Sequence, residues 1–334
     1  MCWRWGKINR RSFNSFYKSP NLSSFVICHL SFVFYPSAYY IVIMVRNKVI
    51  LWFLLPAIVL IFFVAFFPLA YGVLLGLMRS MPVFGIHRFV GLQNFLFLWH
   101  DPRFLQSLST TLIFTFISVP IEILLGLLIA LLMREKIPGG WLLKVTVMIP
   151  WAIPTVVSAR MWAWIYNPEY GILNYLLQSS GLVRHAVNWL GNPGFVLPAV
   201  IVADVWKTTP FAALLLYAGL QIIPHELYES ARIDGAGCLA RFWYITLPLL
   251  LPVVLIVGIF RTMDAFRIFD LIYVLTGGGP ANLTETMSVY AYKLLFQTMQ
   301  FGYGSAVSIA MFSVIALLSA GYIYLLHKRF RMLS

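Results

Sequence analysis

The stretch Tyr228–Pro252, YESARIDGAGCLARFWYITLPLLLP, joins a polar segment directly to an apolar one. Its polar part, ESARIDGAG, holds two acids, an arginine and two glycines, whereas the residues that follow become almost entirely apolar. A sequence of this kind is typical of a loop that lies in water and then enters a bilayer as a helix. If that interpretation is right, the rest of the chain must supply further membrane-spanning helices.

The composition of the whole chain agrees with a membrane protein. Of its 334 residues, 61% are hydrophobic and only 10% are charged, far from the average of soluble domains. The net charge of +13 comes from basic residues between and beside the apolar runs, where they orient helices in a bilayer, so we expect no nucleic-acid partner. The cysteines Cys2, Cys28 and Cys238 lack CxxC spacing and predict neither a disulfide framework nor a metal site.

Six apolar runs are long enough to cross a bilayer as helices. They cover residues 49–77, 108–133, 142–166, 194–221, 247–268 and 303–326. The connections 167–193 and 269–302 are each long enough to hold a further small helix. The sequence therefore predicts an all-α polytopic membrane protein with about six transmembrane helices.

Positive charges beside the predicted spans give the orientation of the chain. The residues concerned are Arg46, Lys48, Arg134, Lys136, Arg232, Arg241, Lys328, Arg329 and Arg331. All of them lie on one side if both termini are cytoplasmic, although Arg79, Arg88 and Arg103 then lie on the other side. We therefore expect a multi-pass protein of the inner (cytoplasmic) membrane with the connection 222–246 in the cytoplasm.

The first 43 residues admit two interpretations. Residues 22–45 are apolar, but only Arg46, Asn47 and Lys48 separate them from the first span, which is very short for a helical hairpin. Met44 is followed at once by VRNK and a clean span. Residues 1–43 are therefore either absent from the mature protein or an interfacial extension, and the transmembrane domain is expected over residues 44–334.

The polar part of the connection 222–246 predicts two short helices around a turn. Pro224 suits the first turn of a helix, where its missing N–H is no loss, and the helix continues through PHELYESARID. Gly235 and Gly237 permit the left-handed or tightly bent backbone of a turn. The second helix, CLARFWYITLP, returns to the bilayer with Pro248 at its bend. On these features alone, an amphipathic return to lipid is an alternative to a docking surface.

The spacing within this segment resembles the EAA loop of bacterial ABC-importer permeases, whose pattern is EAA-x3-G-x9-I-x-LP. The matching residues, with a serine in place of the central alanine and with the DGA around the glycine, are Glu229, Ser230, Ala231, Asp234, Gly235, Ala236, Ile245, Leu247 and Pro248. In that family the loop is a coupling helix that docks in a cleft of a separate ATPase subunit. The resemblance implies the same role here, on a type I ABC-importer permease fold.

Further segments resemble the sugar-importing branch of that family, related to maltose, trehalose and glycerol-phosphate importers. They include IPWAIPTVVSARMWAWIYNPEYGILNYLL at 149–177, DVWKTTPFAALLLYAGL at 204–220 and FRTMDAFRIFDLIYVLTGGGP at 260–280. The resemblance implies a permease subunit for a carbohydrate, such as the disaccharides trehalose or maltose. It also implies three kinds of partner protein, which are a homologous second permease, an ATPase dimer and an extracytoplasmic solute-binding protein.

The chain itself has no G-x-x-x-x-G-K-[ST] phosphate loop, so it cannot hydrolyse ATP unaided. We therefore expect a subunit that is not an enzyme and binds no cofactor directly. ATP and Mg²⁺ are expected on the partner ATPase.

Charged residues inside the predicted spans are costly unless they face a partner or a water-filled cavity. The fourth and fifth spans and the residues that follow carry Asp204, Lys207, Arg261, Asp264, Arg267 and Asp270. Residues three apart are neighbours on a helix surface, so one interpretation is paired charges that hold helices together. The other is a substrate path, with Trp162 or Trp206 offering a face to a sugar. Glu122 and Arg160 form a further candidate pair between the second and third spans.

An ion-coupled secondary transporter of small polar solutes, with these carboxylates as proton sites, is the alternative function. Such a carrier has no reason to keep an ATPase-docking loop, so the EAA-like spacing favours the ABC permease. An intramembrane enzyme is disfavoured because the chain has no nucleophile–base or metal-ligand constellation.

Overall fold

The computed structural model describes residues 48–135 and 138–333, so the interpretation of residues 1–43 lies outside the described part. In chain order, the helices and strands are α1 (Lys48–Ile61), a π turn (Phe62–Phe66), α2 (Phe67–Gly76), β1 (Met78–Met81), β2 (Ile86–Phe89), α3 (Gln93–Leu98), α4 (Pro102–Arg134), α5 (Gly140–Ala152), α6 (Thr155–Ile165), α7 (Ile172–Ser179), α8 (Val196–Ile222), α9 (His225–Ile233), α10 (Cys238–Arg241), a second π turn (Phe242–Thr246), α11 (Leu247–Phe266), α12 (Asp270–Leu275), α13 (Met287–Tyr292), a third π turn (Lys293–Gln297) and α14 (Phe301–Leu333).

The chain divides into two compact units. Among the described residues, one contains 48–67 and 327–333, and the other spans Pro68–Leu326. The larger unit holds the connection 222–246 and the charged residues of the fourth and fifth spans. Its helices therefore position both candidate sites.

Five helical stretches are long and apolar enough to cross a membrane by themselves: Trp52–Gly76, Pro102–Arg134, Val196–Ile222, Cys238–Phe266 and Phe301–Lys328. The helices α5 and α6, bent by 92°, supply a sixth crossing if the pair is one span. The prediction of an all-α protein with about six transmembrane helices is confirmed. Many large apolar side chains along these helices are exposed, as expected where a protein meets lipid.

The third span is not the continuous helix that the sequence predicted over 142–166. The helix ends at Ala152 and restarts at Thr155, because Pro154 has no N–H and favours an extended conformation for the residue before it. Ile153 accordingly has φ −70° and ψ 132°. Its carbonyl is left outside the regular helical pattern and is available to a side chain.

Two other spans begin earlier than hydropathy indicated. The second begins at Pro102 instead of residue 108, because Asp101 caps the helix by accepting a 3.0 Å hydrogen bond from the N–H of Arg103. The fifth continues from α10 through the π turn Phe242–Thr246, which ends two residues before Pro248. A proline cannot donate to the helical pattern, and a local π turn accommodates that gap.

The connection 78–107 contains a β-hairpin that the sequence analysis did not predict. Its strands pair antiparallel from Met78↔Phe89 to Met81↔Ile86. A short 3-10 turn joins them, and Gly85 closes it with a left-handed φ of 62°. Strands of four residues are too short for period-two alternation to be distinguished from an irregular loop.

Small residues allow the spanning helices of the larger unit to approach closely. A methyl group added to Gly126 of α4 would come within 3.0 Å of Ala212 on α8. One added to Gly219 of α8 would come within 2.8 Å of Val253 on α11. Such contacts are typical of helix crossings in membranes, and they show that α8 packs against both α4 and α11.

Asp101, just before the spanning part of α4, anchors that helix to two others. Its Oδ2 accepts hydrogen bonds from the hydroxyls of Tyr290 on α13 (2.6 Å) and Tyr303 on α14 (2.5 Å). Burial raises the pKa of the Asp101 carboxyl, but the hydrogen bonds from Tyr290, Tyr303 and the backbone of Arg103 and Phe104 together outweigh burial and hold the pKa below its ordinary value. An ionised carboxylate therefore joins three segments.

Asp101→Asn should lower the free energy of unfolding by roughly 2–3 kcal/mol, because an amide loses the charge-assisted hydrogen bonds. A depressed folded-state pKa contributes stability at higher pH, so the wild-type protein should lose this contribution only as the pH falls below about 4. Thermal unfolding in detergent, followed by tryptophan fluorescence, measures both effects. Asp234→Asn, at an exposed carboxylate, is the control, and an equal loss of stability in both variants would contradict the prediction.

Candidate functional site

The connection 222–246 folds as two short helices around a turn, as predicted. Pro224 is the N-cap residue of α9 and has an extended conformation, so it precedes the first helical turn in which the sequence placed it. Glu229 is exposed, and its Oε1 lies 3.2 Å from Nδ1 of His225 one turn earlier. After the turn, α10 continues through the π turn into the fifth span.

Hydrogen bonds at the end of α9 explain the spacing between the alanine and the glycine of this loop. The N–H of Gly235 donates to the carbonyl of Arg232 (3.2 Å), and the N–H of Ala236 donates to the carbonyl of Ala231 (2.8 Å). This pair forms a Schellman motif, which requires a left-handed residue directly after the cap. Gly235 has φ 81°, so the expected positive φ is confirmed there, whereas Gly237 has an ordinary φ of −66°.

The residues predicted for coupling divide into an exposed and a half-buried group. Exposed are Glu229, Ser230, Asp234 and Gly235, and half-buried are Ala231, Ala236, Ile245, Leu247 and Pro248. Ile233, which the sequence analysis did not select, exposes 87% of its surface within the first group. A large apolar side chain that is this exposed in a polar loop is a candidate contact for a partner.

A second candidate site lies among the spanning helices. A cavity of about 490 Å³ lies between α6, α8, α11 and α12, and its charged lining residues are Asp204, Lys207, Arg261, Asp264, Arg267 and Asp270. The charged residues that the sequence analysis selected therefore come together around one space. Three are acids and three are bases, so their formal charges sum to zero when all are ionised.

Arg261 is the centre of an ion-pair network beside this cavity. It is 4% exposed, and its Nε donates to Oε2 of Glu122 on α4 at 2.6 Å. Its other two guanidinium nitrogens lie 4.0 Å from Asp204 and 3.4 Å from Asp264. Asp264 also accepts a 2.8 Å hydrogen bond from Arg267. The network therefore joins α4, α8 and α11 and extends from the core to the cavity rim.

Two of the pairings considered from the sequence are replaced by others. Glu122 binds Arg261, whereas Arg160 is exposed. Lys207 donates from Nζ to the carbonyl of Ile153 at 2.6 Å, the carbonyl that the break before Pro154 makes available. Both partners lie on other helices, so spacing along one helix gave no sign of them. The only sequence signals were the acid in the second span and the proline in the third.

Two buried carboxylate oxygens of the network lack a hydrogen-bond partner among the described residues. They are Oε1 of Glu122 and Oδ2 of Asp204. Buried ion pairs that serve only stability need their remaining oxygens satisfied, because desolvation otherwise exceeds the attraction. Both oxygens nevertheless lie within the network, because Oδ2 of Asp204 is 4.0 Å from the guanidinium group of Arg261 and Glu122 binds the same group through its other oxygen.

The two predicted aromatic residues, Trp162 and Trp206, are not part of the described lining of the cavity. Trp162 and Trp206 pack edge to face with their ring centroids 5.7 Å apart. The aromatic ring that does line the cavity belongs to Phe269, which stacks on Tyr273 with centroids 5.1 Å apart. The sequence analysis missed Phe269 because it considered only tryptophans within the spans.

Comparisons with known proteins agree with this arrangement. The family profile described as the binding-protein-dependent transport system inner membrane component matches residues 100–332. The trehalose/maltose transport system permease protein MalF of Thermococcus litoralis is 48% identical over 243 residues, which are 73% of this chain and 81% of that protein. The trehalose transport system permease protein SugA of Mycobacterium tuberculosis is 38% identical over 272 residues, 81% of this chain and 86% of that protein.

Among solved structures, a bacterial ABC transporter involved in the import of the acidic polysaccharide alginate has a similar chain. The TM-score is 0.73 at 23% identity, and the match covers 85% of this chain and 97% of the other. At this identity the likeness bears on the fold alone. It confirms the predicted type I ABC-importer permease fold.

Gly235→Ala should destabilise the turn after α9 by roughly 1–2 kcal/mol, the cost of a left-handed backbone for a residue with a Cβ. The added methyl group meets no atom within 4 Å, so backbone strain is the only cause. Gly235→Asn should lose less, because asparagine tolerates this conformation. Amide hydrogen exchange across residues 225–246 measures the effect.

Gly237→Ala is the matched control, because Gly237 has an ordinary φ and equally open surroundings. This variant should leave the rate of amide hydrogen exchange across residues 225–246 almost unchanged. Faster exchange in Gly237→Ala than in Gly235→Ala would show that the turn does not depend on a left-handed Gly235.

Proposed function

The chain belongs to the family of binding-protein-dependent transport system inner membrane components, and from this membership we propose that it forms half of a carbohydrate path driven by a separate ATPase. It is a multi-pass membrane permease subunit and not itself an enzyme. In the proposal, ATP and Mg²⁺ bind to the partner ATPase. This chain supplies a docking loop and part of the path.

The exposed loop around α9 is the observation that carries the proposal of ATPase coupling. It presents the carboxylate of Glu229 and the apolar side chain of Ile233 on a helix whose end is fixed by the turn at Gly235. An apolar anchor with charged neighbours suits a cleft on a soluble partner. An ion-coupled carrier has no use for such a surface, so this observation favours the ABC permease over that alternative.

The distribution of positive charge supports an inner-membrane orientation with both termini and the connection 222–246 in the cytoplasm. In this orientation the loop faces an ATPase dimer, and the opposite side of the protein faces an extracytoplasmic solute-binding protein. A single EAA-like loop in the chain implies a homologous second permease that supplies the other loop and the rest of the path. Lipid surrounds the exposed apolar faces of the spanning helices.

The cavity supports a neutral carbohydrate as the substrate. Its charged lining residues sum to zero, so it offers hydrogen-bond donors and acceptors without a net attraction for an anion. Its volume of about 490 Å³ lies within the range of roughly 300–1,000 Å³ for small-molecule sites. Phe269 offers an apolar face to the C–H surface of a sugar ring. A disaccharide such as trehalose or maltose fits these features and the names of the two relatives.

Asp264→Asn and Glu122→Gln should separate substrate binding from assembly. The Asp264 side chain is 46% exposed at the cavity rim, so its neutralisation should lower trehalose uptake severalfold in proteoliposomes while the complex assembles normally. Glu122 is fully buried, and its neutralisation removes the shortest ion pair of Arg261 (2.6 Å), which should cost about 3–5 kcal/mol and reduce the yield of assembled complex. Glu169→Gln, at an exposed carboxylate, controls for the chemical change. Wild-type uptake in Asp264→Asn would remove the cavity from the path.

The neutral lining also predicts that the cavity prefers neutral over acidic disaccharides, independently of the solute-binding protein. Saturation-transfer NMR on the solubilised complex without that protein should detect contact with trehalose or maltose. A disaccharide of uronic acids, tested at the same concentration, should give a much weaker signal. A stronger signal from the acidic disaccharide would contradict the assignment of a neutral substrate.

A further inference from the structure

Arg134, the last residue of α4, contacts the tyrosine directly before the EAA-like residues. Its Nη1 donates to the hydroxyl of Tyr228 at 2.9 Å. Its guanidinium carbon lies 4.3 Å from the centroid of the same ring, within the range of a cation–π contact. These two contacts bind α9 to the end of α4.

The hydroxyl of Tyr228 extends this contact to a third element. It lies 3.0 Å from Oγ1 of Thr246, the last residue of the π turn that leads into α11. Thr246 is 4% exposed, and its hydroxyl also donates a longer hydrogen bond to the carbonyl of Arg241 (3.4 Å). Arg134, Tyr228 and Thr246, named here the Arg134 junction, therefore join α4, α9 and the start of α11 through consecutive hydrogen bonds.

The chain on either side of α9 does not provide a rigid connection of its own. Ile223 and Pro224 are both extended (ψ 119° and 137°) and interrupt the helix that comes from α8. Gly235 interrupts it on the other side with its left-handed turn. Because α9 lies between two breaks, side-chain contacts decide how firmly it follows the spanning helices.

The helices α4 and α11 meet again at the substrate cavity, through the buried pair of Glu122 and Arg261 (2.6 Å). Glu122 lies 12 positions before Arg134 on the same helix, which corresponds to roughly 18 Å along its axis. The two helices are therefore joined at two levels, one at the docking loop and one beside the cavity.

We propose that the Arg134 junction is a positioning device that transmits the displacement of α9 to the cavity. It fixes α9 against α4 and α11, so that a movement of the loop changes the spacing of those helices where they hold the ion-pair network. Arg134 and Thr246 are not among the lining residues of the cavity, and they act on α9 through Tyr228. This inference rests on the proposed function, because it assumes that an ATPase moves α9.

Tyr228→Phe tests the junction, because it removes both hydrogen bonds of the hydroxyl and keeps the ring against Arg134. In the complete complex, reconstituted in liposomes with its ATPase and solute-binding protein, the amount of trehalose imported per ATP hydrolysed should fall by roughly fivefold, as expected for the loss of a net hydrogen bond. Thr246→Val removes one of these bonds, together with the longer contact of Thr246 to the carbonyl of Arg241, and should give a smaller fall. Adding Thr246→Val to Tyr228→Phe should cause no further fall, since Thr246 acts through the missing hydroxyl.

Tyr217→Phe is the matched control. Tyr217 accepts a 2.7 Å hydrogen bond from Lys144, whose Nζ lies 4.7 Å from the ring centroid. The chemical change is therefore the same, but this contact joins α5 to α8 and leaves α9 untouched. The import per ATP should stay at the wild-type value in this variant.

Three results would overturn the proposal: an unchanged ratio in Tyr228→Phe, an equal fall in Tyr217→Phe, or a double variant whose fall is the product of the two single falls. Size-exclusion chromatography of each complex identifies a loss of assembly. If Tyr228→Phe reduces assembly, Thr246→Val provides the test instead. An unchanged amount of trehalose imported per ATP hydrolysed in Thr246→Val then overturns the proposed role of the junction. If the wild-type complex imports neither trehalose nor maltose, the substrate of the proposed function is refuted. The junction is then tested by the ATP hydrolysis that depends on the docking loop, and the same variants must alter that rate.

Discussion

The arrangement of the larger unit depends on one guanidinium group inside the bilayer. Arg261 is almost fully buried, and a buried charge is tolerated only where ion-pair partners compensate for its desolvation penalty. Glu122 on α4 and Asp204 on α8 provide the negative charge, so three helices must present these residues to one point. Gly126 lies one helical turn after Glu122, so the rotation of α4 that presents Glu122 to Arg261 also brings Gly126 against Ala212 on α8.

The break in the third span illustrates a second constraint. Backbone groups in a membrane must be satisfied within the protein, and the bend before Pro154 removes Ile153 from the helical pattern. Lys207 donates a hydrogen bond from its ammonium group to the carbonyl of Ile153. The same contact therefore gives a partner both to a backbone carbonyl outside the helical pattern and to a buried charge. A helix interruption and an intramembrane lysine, each costly alone, are therefore compatible when they face one another at the cavity.

The helix α4 connects three places that matter for transport. Its start is held by Asp101 with Tyr290 and Tyr303, its middle carries Glu122, and its last residue contacts Tyr228. Each of these contacts reaches a different segment of the chain. Because Glu122 and Arg134 lie on one helix without a proline between them, a displacement at Arg134 reaches Glu122 through about three helical turns. The coupling that we propose uses this property.

The sequence by itself determined the features that depend on local or one-dimensional information. Hydropathy sets the number of spans, because bilayer thickness fixes their length. The spacing from Ala231 to Gly235 sets the turn after α9, because a Schellman motif involves only neighbouring residues. Only the tertiary structure decided that Glu122 pairs with Arg261, that Lys207 binds Ile153, and that Phe269 lines the cavity. Those contacts depend on the rotation and axial offset of separate helices, which hydropathy leaves free, and on a backbone carbonyl that becomes available only when a helix breaks.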